Sequence, residues 1–154
     1  AIQAMADVCI GAEKYQAPHA AFQRTQENFA RVDEAIAMAA IYTANHLNVS
    51  AIIALTESGS TARWMSRVRS DIPIYALTPH KATSRRVALY RGVYPVEFEI
   101  VVGEQRQLYQ DIFSTLLALE HVNVGDLVIF TKGDLDGVTG STNAMKILEV
   151  TESS

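Results

Sequence analysis

Thr56, Glu57, Ser58, Gly59, Ser60 and Thr61 stand between an apolar run and a helix-compatible segment in "AIIALTESGSTARW". In a parallel sheet, ligands bind outside the carboxyl ends of the strands. A turn at that place presents hydroxyl donors from Thr56, Ser58, Ser60 and Thr61, and Gly59 lets the backbone approach a bound group. The helix that begins there adds free N–H groups and a positive dipole end. Together these parts suit a phosphate. A capped strand–helix turn without a ligand uses the same residue types, since Ser and Thr also cap helices. Nucleotide motifs do not fit. No lysine completes a P-loop, and one glycine stands where a dinucleotide fingerprint needs three.

A second stretch, "TKGDLDGVTGSTN", follows a later apolar run and also contains Gly-Ser-Thr. Gly133, Asp134, Gly137, Gly140 and Ser141 read as a flap over a ligand held at 56–61, or as a plain long hairpin connection. Asp134, Asp136 and Gly137 resemble a calcium loop only in part. Val138 and Met145 fall where ligands are needed, so no metal site is expected. Thr78, His80 and Lys81 end a second apolar run and are candidate ligand contacts, or ordinary solvated loop ends. Arg63 and Arg67 lie one helical turn apart and could face a phosphate or a partner, with a solvated face as the default. His19, His46 and His121 form no metal-spaced pair. No nucleophile with a paired base and no carboxylate pair follows from spacing, so no catalytic residue is assigned. No second basic cluster for another phosphate is visible.

The elements that must position these residues follow from periodicity. Residues 1–14 read as a short helix, with Met5, Val8 and Cys9 at helical spacing. Residues 15–28, with Pro18, read as a linker. Phe29, Val32, Ile36, Ala39 or Ala40, Thr43 and Leu47 follow a 3.6 period and predict an amphipathic helix capped by Asn28. Ala51–Leu55 and Ile72–Leu77 are continuous apolar runs of the kind buried on both faces of a parallel sheet. Helices are predicted over Thr61–Ser70 and Thr83–Tyr90. "VYPVEFEI" predicts a third strand, nearer an edge because of Pro95. Leu108, Ile112, Leu116 and Leu119 mark a long helix. Asp126–Thr131 and Ala144–Val150 are the last strands, with no helix pattern between them, so the final strand should run antiparallel. The order predicts an α/β fold, a three-layer α/β/α arrangement on a five-stranded, mostly parallel sheet.

Composition narrows the function classes. The chain has 154 residues, about one domain, and 49% are apolar, enough for a core. A formal net charge of −4 argues against a nucleic-acid binder. No apolar run approaches the roughly 20 residues that span a bilayer. No signal peptide is visible at "AIQAMADVCIGAEK". The single cysteine, Cys9, cannot form an intramolecular disulfide and fits a reducing, cytoplasmic setting. An opening that already reads as mid-helix suggests a piece of a longer protein, although an ordinary mature N-terminus would look the same.

The stretches "AMADVCIGAEK", "EAIAMAAIYTANHL", "AIIALTESGSTAR", "PIYALTPH", "ALYRGVYPV" and "GDLVIFTKGDLDGVTGSTNAMKILEV" resemble the C-terminal domain of pyruvate kinase. They occur in that family's order and cover nearly the whole chain. The "TESG" wording is similar to the bacterial form activated by sugar monophosphates or AMP. The resemblance implies that residues 1–22 are the last helix of a catalytic barrel plus a linker, and that 23–154 are the regulatory domain. It places the effector phosphate on Thr56–Thr61 and the closing loop on Gly133–Ser141. The family's substrate, nucleotide and metal sites belong to parts not in this chain. No cofactor is therefore expected here, and Mg and K only in the full-length enzyme.

The resemblance further implies pairing into a tetramer, contact with the remaining pyruvate kinase domains, and no turnover of phosphoenolpyruvate and ADP by this chain alone. Glu57 departs from members that take fructose 1,6-bisphosphate. A carboxylate beside the cradle disfavours a highly charged ligand, so the expected effector is glucose 6-phosphate, ribose 5-phosphate or AMP. Two other classes compete. One is a stand-alone phosphate-ligand sensor that shares the fold. The other is a small phosphatase or transferase acting through the 56–61 turn, which lacks a nucleophile with a paired base.

Overall fold

The computed structural model of the chain describes residues 2–15, 28–99, 105–133 and 142–152. Helix α1 (Ile2–Tyr15) leads, followed by α2 (Val32–His46) and β1 (Ala51–Leu55). Then come α3 (Ser60–Ser66), β2 (Ile74–Thr78), α4 (Lys81–Val87), β3 (Val93–Glu97), α5 (Gln105–Ala118), β4 (Leu127–Gly133) and β5 (Thr142–Glu149). The five strands form one sheet in the order β3-β2-β1-β4-β5. β1 pairs in parallel with both β2 and β4, and β2 pairs in parallel with β3. β5 runs antiparallel to β4, as the lack of a helix pattern in the sequence between the two runs predicts. β3 lies at an edge, where Pro95 removes an N–H at little cost to the ladder.

The strand order explains the layers. From β1 the chain winds through β2 to β3 in one direction, then returns to place β4 on the other side of β1. Parallel crossovers are right-handed, so reversing the direction moves the connecting helix to the opposite face. α2, α3 and α4 supply Ala37, Ala40, Ile41, Ala62, Met65 and Val87 to a core with Ile52, Ala54, Ile74, Ala76 and Ile129. α5 supplies Ile112, Phe113 and Leu116 to a second core with Ala51, Ile53, Leu77, Val128 and Phe130. Alternate residues of each central strand enter alternate cores, which is why β1 and β2 read as unbroken apolar runs.

α2 departs from the amphipathic reading. It begins at Val32 rather than Phe29, and its N-cap is Arg31, not Asn28. Its buried side is Asp33, Ala37, Ala40, Ile41 and Ala44. Phe29, Val32 and Leu47, taken from sequence as core positions, are exposed. The sheet-facing stripe is small because alanines let the helix backbone approach the strands closely. The larger apolar side chains are left outside, where Phe29, Met38 and Tyr42 line an open groove with Val68.

Other boundaries shift by a few residues. α3 ends at Ser66 rather than Ser70, α4 starts at Lys81, and Thr78 is the last residue of β2 rather than a turn residue. The linker and the proposed boundary between residues 22 and 23 lie outside the described residues. The described α1 side chains from Ile2 to Ile10 are all exposed. No helix among the described residues is long and apolar enough to cross a membrane.

Candidate functional site

The direction reversal falls between β1 and β4, and open α/β sheets bind ligands in the crevice outside the carboxyl ends of the strands at such a point. The Thr56–Thr61 turn leaves β1 at that point. Inside the turn, the Gly59 N–H donates to Thr56 Oγ1 at 2.9 Å, and the Ser60 N–H reaches Ser58 Oγ at 3.4 Å. Both side-chain oxygens act here as acceptors, and among the described residues the hydroxyl protons of Thr56 and Ser58 meet no acceptor, which leaves them available as donors. Ser58 is half-buried and reachable, while Thr56 is almost wholly enclosed.

Gly59 has φ of 77°, the left-handed region in which a side chain is strained. A Cβ there would stand 2.6 Å from Val87 Cγ1. The glycine therefore serves close contact with α4 as well as turn geometry. α4 also grips the turn through Thr83 Oγ1, which donates to the Glu57 carbonyl at 2.8 Å, and through Arg86, which reaches the Ser58 carbonyl at 3.4 Å.

Ser60 and Thr61 are engaged with the protein rather than open to the crevice. Ser60 Oγ donates to Asp33 Oδ2 at 2.9 Å. Thr61 is buried, and its hydroxyl pairs with that of Thr142 at 2.5 Å, joining α3 to β5. Asp33 is 1% exposed and also accepts from Arg31 Nε at 2.8 Å and from the Glu34 N–H at 3.1 Å. Burial pushes its pKa up. The hydrogen bonds from Arg31 and Ser60, the Arg31 charge and the Glu34 N–H outweigh that and hold it below the usual carboxylate value.

Glu57 and His80 form an ion-pair contact across the mouth of the turn. The Glu57 carboxylate thus has its own partner at the mouth of the turn. Of the other candidates, Thr78 is buried and its hydroxyl accepts from the His80 N–H at 3.3 Å. Lys81 is exposed on the first turn of α4. Gly133 closes β4 and pairs with Thr142. Asp134, Gly137, Gly140 and Ser141 lie outside the described residues. Arg67 stacks its guanidinium over Trp64 at 4.4 Å, a use within its own helix. No group of three His, Cys, Asp or Glu side chains among the described residues is placed to hold a metal ion.

Asp33, Thr83, Arg86 and Thr142 were missed by sequence reasoning. Asp33 carried one readable signal, an acidic residue in a first helical turn whose i+4 and i+7 neighbours, Ala37 and Ala40, are small and apolar.

A sequence model of "Pyruvate kinase, alpha/beta domain" matches residues 34–148. The chain belongs to the pyruvate kinase family. It is 44% identical over 150 residues to pyruvate kinase II of Salmonella typhimurium, covering 97% of this chain and 31% of that protein. It is 41% identical to a pyruvate kinase of Buchnera aphidicola, with the same coverage. A pyruvate kinase of Staphylococcus saprophyticus is 38% identical across 96% of this chain and 25% of its own length. The chain thus spans a third or less of the length of these relatives.

Two stability outcomes are expected. Gly59→Ala should cost about 1–3 kcal/mol, because it adds left-handed strain to a clash with packed Val87, measurable by urea denaturation. Asp33→Asn should cost about 1–3 kcal/mol at pH 7. Because the folded pKa is lowered, the wild-type advantage is complete above the unfolded value of about 4 and is lost as pH falls through the folded one. The gap between wild type and Asp33→Asn should therefore narrow in denaturation curves taken at decreasing pH below about 4.

Proposed function

We propose that this chain is the regulatory and subunit-pairing domain of a pyruvate kinase, and that it binds a phosphorylated small molecule at the turn after β1. One observation carries the reading. The turn stands at the direction reversal of the sheet, anchored from α2, α4 and β5, while the Ser58 hydroxyl proton meets no acceptor among the described residues. A preorganised donor set binds an anion without the cost of ordering a loop. The effector is a monophosphate: glucose 6-phosphate, ribose 5-phosphate or AMP. Glu57 puts a carboxylate within the turn, and the His80 ring that contacts it leaves no surplus positive charge for a second phosphate.

On this reading residues 1–22 are the end of a catalytic barrel. The remaining domains of the enzyme, its Mg and K sites and its tetrameric partners lie beyond this chain, which works in the cytoplasm. The chain alone then has no phosphoryl-transfer activity.

Calorimetry tests the binding. One of the three monophosphates should bind, and Ser58→Ala should weaken it about tenfold or more, the loss of one hydrogen bond to a charged group. Tighter binding of fructose 1,6-bisphosphate than of all three would overturn the choice of ligand. In a coupled assay the purified chain should form no pyruvate from phosphoenolpyruvate and ADP; turnover would refute the assignment of catalysis to other domains.

A further inference from the structure

The sheet brings together a pair of lysines that sequence spacing keeps apart. Lys146 on β5 pairs in register with Phe130 on β4, and Lys132 is two residues beyond Phe130, so both lysines project to the α5 face. Gln105, at the start of α5, stands between them. With its amide oriented to suit its neighbours, the Gln105 oxygen accepts from Lys132 Nζ at 3.2 Å, Lys146 Nζ at 3.3 Å and the Tyr109 hydroxyl at 3.1 Å. Lys146 Nζ also sits 5.4 Å above the Tyr109 ring.

A neutral amide oxygen has two lone pairs. Three donors compete for it, and two of them are cations. Neither lysine is in a salt bridge among the described residues, where the ion pairs are Arg31–Asp33 and His80–Glu57. Two ammonium groups converging on one uncharged acceptor repel each other, and no carboxylate among the described residues pairs with either. An oxyanion displacing the Gln105 oxygen, or lying beside it, would supply a counter-charge and accept charge-assisted hydrogen bonds from both. The Tyr109 hydroxyl adds a neutral donor.

We infer that Lys132, Lys146, Gln105 and Tyr109 form an anion-binding site for a small oxyanion of the phosphate type, on the α5 face and separate from the turn after β1. Lysine binds such groups as a point charge and imposes no planar geometry. The site therefore takes free phosphate or the phosphoryl end of an ester, and depends strongly on salt.

The experiment is an NMR titration of the chain, 16.9 kDa, with inorganic phosphate at low ionic strength, and in parallel with glucose 6-phosphate. Amide signals of Gln105, Tyr109, Lys132 and Lys146 should move with a common saturating curve. In the Lys132→Gln, Lys146→Gln double variant these movements should vanish, while Lys132→Arg, Lys146→Arg should keep them. Ser58 and Gly59 report the turn independently, so failure of one site is read separately from failure of the other. Movement with inorganic phosphate alone would show a site too narrow for an ester; movement with both would show a general phosphoryl site. Static signals at these four residues, or shifts that persist in the double glutamine variant, would overturn the inference.

Discussion

The reversal of winding after β3 is the constraint on which the rest of this molecule depends. With β4 on the far side of β1, the right-handed crossover rule sends α5 to the face opposite α3 and α4. Both faces of the sheet are then covered, and the central strands can be apolar on both sides. The turn after β1 leaves the sheet at the same reversal, the place where open α/β sheets bind ligands. The turn after β1 and the lysine pair on the α5 side both sit at this end of the sheet. They face different helices because neighbouring residues of a strand point to opposite faces.

The turn itself is short, and its own backbone does not hold it. Asp33 reaches it from α2, Thr83 and Arg86 from α4, and Thr142 from β5. Asp33 carries the largest stake. A buried carboxylate costs several kcal/mol in lost hydration unless it is paired and hydrogen-bonded, and here Arg31, Ser60 and a backbone N–H together meet that cost. The arrangement ties the first turn of α2 to the first turn of α3 across the carboxyl end of β1. It also takes Ser60 and Thr61 out of the set of free donors, so the rim of the turn is defined by Ser58 with Glu57 and His80 beside it.

A turn fixed from three elements responds to its neighbours. On the proposed reading, a change that displaced α2, α4 or β5 would move its donors, and a ligand bound there would bias those elements in return. Energetic linkage between a ligand site and distant surfaces takes this form. α2 is well placed for it, since its inner side holds the turn through Asp33 while its outer side carries the exposed Phe29, Val32 and Tyr42.

The sequence by itself determined the fold class, the strand positions and the place of the turn. Ala51–Leu55 and the run ending at Leu77 are too apolar and too short to be anything but buried strands. Pro95 marks an edge by the donor it lacks, and the lack of a helix pattern in the sequence before Ala144 points to an antiparallel return. These are local signals, carried by neighbours in the chain. The core-facing side of α2 was not legible, because close helix–sheet packing selects alanine and so inverts the usual link between side-chain size and burial. The tertiary structure alone decided which hydroxyls are engaged. Ser60 meets a carboxylate 27 residues away and Thr61 a hydroxyl 81 residues away, separations that leave no periodic trace. It alone also joined Lys132 and Lys146, since the register of two strands sets which side chains become neighbours, and register is a property of the pair.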